Sequence, residues 1–491
     1  MITFTRPRLD SYGFSFDNSY SKLPDVLFTR ANPKEFKSPS LVVFNRSLAT
    51  LLGLDSDAIE AGNWACFSGR EIPKAAYPIA QAYAGHQFGG FANLGDGRAI
   101  LLGEHIASNQ ERFDIQLKGA GPTPYSRSGD GLAALGPMLR EYLMSEAMYA
   151  LGVPTTRSLA VMLTGEPVYR AEPLNGAVLT RVAASHLRVG TFQYAASIKQ
   201  PSVLKALADY TISRHFPTLT KHPNPYISLL NAVIDVQAKL IAKWMQIGFI
   251  HGVMNTDNMS IFGETIDYGP CAFMNTYSPK TVYSSIDQQG RYAFGNQPMI
   301  GEWNLTRFAE SMLTLLDENK AEAIRIAGEC LDGYQHKFRD CWLTAMRKKL
   351  GIFNVEPSDL SLVEDLLMLM YKNQADYTNT FAYLLNPTQL NGQLLNDGAF
   401  KNWSVKWHDR LSRQAQTMQE VQNLMLSHNP LVIPRNHLVE QVLDYASQGN
   451  LEPLNEFLEV LSSPYTRPED EKYMMAPDLN DDARYRTFCG T

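Results

Sequence analysis

No two of the five cysteines in this 491-residue sequence stand as a CxxC pair. Cys66, Cys271, Cys330, Cys341 and Cys489 are scattered, which argues against a zinc site, a thioredoxin-like motif and a disulfide framework. A basic surplus is missing too. With 44 Lys and Arg against 50 Asp and Glu, the formal net charge is -6. A nucleic-acid binder would usually show the opposite sign, although a local basic pocket is compatible with this balance. No run reaches the roughly 18 apolar residues that span a bilayer. The first residues, MITFTRPRLD, lack the apolar core of a signal peptide. The expected address is the cytoplasm, with neither nucleic acid nor membrane as a partner. Internal repeats and low-complexity tracts are also lacking.

What remains is ordinary globular composition, 45% hydrophobic and 19% charged, in a chain long enough to bury a sizeable core. Residues 1–76 read as an irregular N-terminal extension with a short helix at Asn45–Leu54, closed by Gly53. Residues 77–200 read as a β-rich lobe. Its start is glycine-dense, and Phe113-Asp114-Ile115-Gln116-Leu117-Lys118 alternates strictly. That alternation predicts a half-buried strand with Asp114, Gln116 and Lys118 on its polar face. Leu132, Leu135, Leu139 and Leu143 then switch to helical spacing, with Glu141 off the stripe. Strands are expected near Ser158–Leu163 and Ala177–Val182.

Residues 201–462 read as a helical lobe. Asn231–Ile247 is amphipathic and stops at Gly248. Short strands are expected at Met259–Phe262 and Thr265–Tyr268. Helices are expected at about 303–316, 319–349, 357–372, 405–427, 433–447 and 451–461. Residues 463–491, rich in Pro, Asp and Glu, read as a loosely ordered strap. A β-rich half before a helical half predicts two lobes with a cleft between them.

The strongest chemical signal is His251-Gly252-Val253-Met254-Asn255-Thr256-Asp257-Asn258, followed by Asp267-Tyr268-Gly269. Protein kinases carry H-R-D-L-x-x-x-N and then D-F-G. His251 and Asn258 keep that spacing. An amide oxygen and a carboxylate are hard ligands of the kind Mg²⁺ takes. The position of the catalytic aspartate holds Val253, which accepts no proton, and Asp257 is the nearest replacement. Lys118 on a strand with Glu141 on the next helix repeats the kinase device for holding phosphates. Gly95-Asp96-Gly97-Arg98 can bring backbone N–H groups and a guanidinium to phosphate oxygens, or serve as a hairpin turn, or both. Asp130, Gly131, Arg181 and Arg188 add further polar and cationic groups, readable from the residues alone as surface features.

These motifs together resemble the selenoprotein O family, kinase-like protein adenylyltransferases. The resemblance runs through Phe16-Asp17-Asn18-Ser19-Tyr20, the segment Tyr83–Arg98, Gln116-Leu117-Lys118-Gly119 and Tyr125-Ser126-Arg127-Ser128-Gly129-Asp130-Gly131. It continues through Arg140-Glu141, His251–Asn258, Asp267-Tyr268-Gly269-Pro270, Gly290-Arg291-Tyr292 and Asn296-Gln297-Pro298, and weakens after about residue 320. It implies a two-lobed, protein-kinase-like α+β fold with an enlarged helical C-lobe. It also implies ATP bound in an inverted pose, with the γ-phosphate buried and the α-phosphate presented to the acceptor. On matching positions, Arg98, Lys118, Arg181 and Arg188 would hold the buried phosphates. Gly95, Gly97, Asp130 and Gly131 would line the nucleotide, together with Asp267. Asp257 would take the proton, Asn258 and Asp267 would bind the metal, and Glu141 would pair with Lys118.

The activity implied is Mg²⁺- or Mn²⁺-dependent transfer of AMP from ATP to Ser, Thr or Tyr hydroxyls of proteins, the chain itself included. UMP transfer from UTP is also open to bacterial-type members. Cys489 stands third from the end, where some members carry selenocysteine, and is the candidate redox residue. Some members place a partner cysteine near the position of Tyr283. Two rivals stand beside this reading. A γ-phosphate-transferring kinase is disfavoured by Val253, and an inactive pseudokinase scaffold by the retained Lys118, Asn258 and Asp267.

Overall fold

The computed structural model describes residues 12–384, 386 and 392–488. Its N-terminal lobe is built from β1 (Phe28–Arg30), β2 (Ser40–Phe44), β3 (Ile79–Gln81), β4 (Ala84–Gln87), β5 (Gly90–Asn93), β6 (Ala99–Ile106), β7 (Arg112–Lys118), β8 (Ala133–Ala134), β9 (Arg157–Tyr169) and β10 (Pro173–Ala183). One sheet runs in the order β1-β3-β6-β7-β10-β9-β2, with β8 paired to β10. Its pairings are antiparallel. β4 and β5 form a separate hairpin.

The N-terminal extension is woven into this lobe. It supplies the strands at both edges of the sheet, β1 and β2. Asn45 caps a helix at Arg46–Leu52, and Gly53 ends it in the left-handed conformation. Tyr12, Phe14, Leu48, Leu52 and Phe67 pack with Ile115 and Leu117 of β7. β7 is therefore not half-exposed as its alternation predicts. Residues 114–118 are buried on both faces, because the polar face forms the wall of the cleft. The helix Leu135–Ala150 is also buried nearly all round, between β9 and β10 on one side and the helices Asn436–Ser447 and Glu452–Leu461 on the other. Glu141 thus lies in the interior, 2% exposed, although it is off the leucine stripe.

The helical lobe centres on Pro225–Ile247, which ends at Gly248 and packs on Gln297–Leu316 and Tyr334–Lys349. Two long helical patterns are divided. Gly333 separates Lys320–Asp332 from Tyr334–Lys349. Gly398–Ser412 is separated from Met418–Leu426, which starts at a capping box on Thr417. The strands expected at 259–262 and 265–268 do not form. Only single bridges occur there, Ser260 with Arg188 and Thr265 with Thr155. Gly263, at φ 82°, turns the chain between them. The strand pair of this region is β11 (Phe249–Ile250) with β12 (Ala272–Phe273), flanking both loops of interest.

The tail is better anchored than a loose strap. Thr487 bridges to Ser284, and its hydroxyl donates to the Pro270 carbonyl at 2.7 Å. Asp482 accepts from Asn275 at 2.8 Å. Tyr283 is buried and donates to Asp482 at 3.3 Å. Cys489 lies outside the described residues. Among those described, no helix is long and apolar enough to cross a membrane.

Candidate active site

Each strand and loop brings its functional side chain to one cavity of about 320 Å³ between the lobes. That is within the size range of small-ligand pockets. Gly97, Arg98, Lys118, Arg181, Arg188, Val253, Asp257, Asn258 and Asp267 all border it. Lys118 ends β7 and meets Glu141 at 2.6 Å and Asp267 at 3.2 Å. Arg181, opposite Gln116 in the β7–β10 register, donates to Glu141 at 3.2 Å and also to Asp267. Arg188 donates to the other Asp267 oxygen and to the Asp257 carbonyl, the latter at 2.8 Å. Three cations thus converge on one carboxylate. Burial alone would raise the pKa of Asp267, but Arg188, Arg181 and Lys118 outweigh it and hold the group well below the usual range. Its backbone is left-handed, φ 61°, an uncommon conformation for a non-glycine residue and one that clusters at functional sites.

Asp257 differs. It sits in a short 3-10 turn, Thr256–Asn258, and is 7% exposed. Oδ2 accepts a long bond from Gln87 at 3.4 Å, while Oδ1 has no hydrogen-bond partner. Burial pushes this carboxyl up to about 6. β4 presses directly on it: a Cβ at Gly85 would fall 2.3 Å from Oδ1, so only glycine fits there. The arrangement gives a carboxyl whose Oδ1 is shut in against Gly85, whose Oδ2 has one long hydrogen bond, and whose pKa is near neutrality, a value suited to a general base.

Val253 occupies the kinase aspartate position and is 6% exposed. His251 is buried, and its Nε2 lies 3.0 Å from the Ile266 carbonyl, tying the catalytic loop to the Asp267 loop. Burial lowers its pKa, which leaves it neutral and structural.

Asn258 donates its Nδ2 to the Val253 carbonyl at 3.0 Å, which frees its amide oxygen for a ligand. With the carboxylate of Asp267 on the same cavity wall, the donor set is all oxygen. Such a pair suits Mg²⁺ or Mn²⁺ when phosphate and water oxygens complete the shell.

Gly95, Asp130 and Gly131 do not line the cavity. Gly95, at φ 121°, packs so tightly that a Cβ would meet the Tyr125 ring at 2.5 Å; it shapes the loop carrying Gly97 and Arg98. Asp130 pairs with Arg170 at 2.8 Å, and its other oxygen accepts the Leu132 N–H. Gly131 packs on Gly121.

Three residues of the cavity or its wall stand inside the sequence motifs but are given no role by them. Asp96 is buried, accepts from Gln81 at 3.1 Å and Gln116 at 3.2 Å, and lies 3.9 Å from Arg188. Burial pushes it up to about 6 against the pull of Arg188. Gln116 accepts from Arg181 Nε at 3.1 Å and so orients that guanidinium. The strand alternation that places Gln116 beside Lys118 already signals it. Tyr83 lies under Arg188, 4.7 Å from guanidinium carbon to ring centre.

A sheet-rich lobe, a helical lobe and a lysine, glutamate, asparagine and aspartate meeting between them define the class: a protein-kinase-like α+β fold. Within that class the chain belongs to the SelO family, whose model, described as protein adenylyltransferase SelO, matches residues 11–462. Relatives named protein nucleotidyltransferase YdiU are similar over nearly the whole length. The one from Bacillus cytotoxicus is 56% identical over 482 residues, covering 98% of both chains. The one from Geobacillus kaustophilus is 56% identical, covering 98% of this chain and 99% of its own. The one from Brevibacillus brevis is 55% identical over 494 residues, covering 100% of both. The chain is accordingly a nucleotidyl-transferring enzyme. Among solved structures, ROP2 from Toxoplasma gondii, described as a virulence factor with a protein-kinase fold and no enzymatic activity, is similar over 76% of this chain and 95% of its own. Identity there is 11% and the TM-score 0.26, and the fold argument above stands without it.

Proposed function

We propose that the chain transfers AMP from ATP to Ser, Thr or Tyr hydroxyls of proteins, itself included, and that UTP can serve as an alternative donor. The observation that carries this reading is the position of Asp257. It borders the same cavity as Lys118, Arg181 and Arg188, with only one long hydrogen bond on Oδ2, while the kinase base position is filled by Val253.

The cations line the inner wall, so the triphosphate end of the nucleotide is the natural occupant there, with the α-phosphorus turned toward the acceptor. Asn258 and Asp267 would hold a divalent cation, which would neutralise phosphate charge; Lys118, Arg181 and Arg188 would then turn from Asp267 to the phosphate oxygens. Asp257 accepts the proton of the acceptor hydroxyl. The hydroxyl oxygen bonds to the α-phosphorus, the bond from that phosphorus to the bridging oxygen breaks, and pyrophosphate leaves among the three cations. Gln116 and Glu141 keep those cations aimed, and the buried wall keeps water from competing.

ATP labelled at the α- or the γ-phosphate tests the proposal. The expected product carries α-label and an AMP-sized mass gain on intact protein. Transfer of γ-label with a phosphate-sized gain would replace this reading with the kinase rival. Absence of any transfer under Mg²⁺ or Mn²⁺, with nucleotide bound, would support the scaffold.

A further inference from the structure

The β4–β5 hairpin reverses direction over Phe88 and Gly89, at φ 49° and 89°. Such a two-residue turn favours Asn and Gly, because both central residues need positive φ. A phenylalanine there is strained, and its ring gains little burial in return: Phe88 is 41% exposed and Phe91 50% exposed. The turn is nevertheless held firmly. The Phe88 N–H donates to Asn255 Oδ1 at 3.1 Å, and the neighbouring Gln87 reaches Asp257. Strain that persists in a clamped, exposed aromatic next to a reactive carboxylate points to a role in function.

Across the cavity mouth stands Ile286, 50% exposed, which borders the cavity as Phe88 does. The packing behind Phe88 is aromatic and cationic. Tyr292 packs on Phe88 with ring centres 5.2 Å apart and donates to the same Asn255 oxygen at 2.6 Å. Arg291 lies over the Trp303 ring at 4.8 Å, and its Nε is buried with no hydrogen-bond partner.

We propose that this rim is the acceptor-docking site. It takes an extended segment of a second protein that carries an apolar residue beside the modified hydroxyl and an acidic residue within reach of Arg291. The inference rests on the adenylyl-transfer reading of the same cleft. Two exposed apolar groups at the border of a polar cavity suit a side chain next to the acceptor. Arg291, half-buried beside Tyr292, supplies the charge complement, and continuity with Asp257 through Gln87 places the hydroxyl where its proton can be taken.

Full-length protein, α-labelled ATP and synthetic peptides with one hydroxyl residue flanked by Leu and Glu provide the test. Phe88→Asn relieves the turn strain, so it should fold at least as stably, yet the peptide KM should rise about tenfold, the scale of losing one apolar contact. Arg291→Glu should raise the KM for the Glu peptide and lower it for the same peptide with Lys in place of Glu. Phe91→Ser and Arg291→Glu should leave nucleotide affinity as it was. Unchanged peptide KM in Phe88→Asn, or no charge-swap rescue at Arg291, would overturn the docking site while α-label transfer persists. Loss of α-label transfer to every acceptor by the unmodified enzyme would instead overturn the reading beneath it. Labelling confined to the chain itself, and not competed by peptide, would show that a segment of this chain occupies the rim and would also overturn the proposal.

Discussion

Asp267, half-buried with 21% of its side chain exposed, and Asp359 both sit among guanidinium groups, yet they are built to different ends. Asp359, fully buried in the helical lobe, accepts from Arg410 at 2.7 Å, from Arg347 at 2.6 Å and from the Glu356 N–H at 2.9 Å. Arg410 also reaches Asn354 at 2.9 Å. Each partner is spent on another protein group, and the cluster closes one corner of the helical lobe. Asp267 has three cations, but those cations border a cavity, and two further carboxyls on its walls, Asp96 and Asp257, are both pushed up to about 6 by burial. A gathering of guanidinium groups therefore does not by itself separate a structural ion cluster from a functional one. Cations that border an open volume, with neighbouring carboxyls displaced toward neutrality, do.

The largest effect should come from removing the shared carboxylate. Asp267→Asn keeps the shape but gives up the charge that three side chains use and that a divalent cation would use. Transfer should fall below detection at saturating Mg²⁺ or Mn²⁺, measured as α-label on intact protein. Near-normal transfer would place the metal elsewhere and make Asp267 resemble Asp359.

Next comes Asp257→Asn. A general base contributes ~10²–10⁴-fold, so turnover should fall by that factor while the nucleotide dissociation constant holds. A loss confined to nucleotide binding would make Asp257 a binding residue instead.

The counterpart in the helical lobe is Asp359→Ala. Breaking a buried pair by removing one partner costs about 3–5 kcal/mol, so denaturant unfolding should shift by that order. Turnover per folded molecule, in contrast, should match the unmodified enzyme. A drop in turnover at full folding would show that the two clusters are coupled.

This contrast also marks what could be read before the structure. Lys118, Glu141, Asp257, Asn258 and Asp267 were readable because kinase chemistry constrains residue type and spacing within short segments. The pairing of Gln116 with Arg181 was implicit in the alternation of β7 but depends on a register with β10 that only the folded sheet reveals. The extension's two strands escaped notice because β1 has three residues and β2 five, too short for a period to show. The strands expected around Gly263 failed because buried apolar residues there, Ile261 and Ile266, pack beneath helices without a partner strand. Asp130 and Gly131 match family motifs, yet their side of the loop faces Arg170 and Gly121. Cys271, the cysteine nearest Tyr283 in sequence, is buried, and burial pushes its thiol up to about 12. That makes it a poor nucleophile for thiol–disulfide exchange.

The smallest effect concerns pH and separates the two perturbed carboxyls. A protonated Asp257 cannot accept the hydroxyl proton, so kcat/KM should fall tenfold per unit as pH drops through about 6. Asp96 has a similar value, so the limb needs assignment. Asp96→Asn should keep it, while the residual rate of Asp257→Asn should be flat across the same range. Stability supplies an independent readout with a fixed sign. The folded pKa of Asp257 lies above the ordinary aspartate value of 3.8, so its stabilising contribution is complete below that value and lost as pH rises through about 6. Asp257→Asn should therefore unfold at a higher temperature than the unmodified chain above pH 6 and at nearly the same temperature below pH 4. A variant destabilised throughout would mean that the ionised carboxylate holds the catalytic turn together. The base role would then have to be argued from kinetics alone.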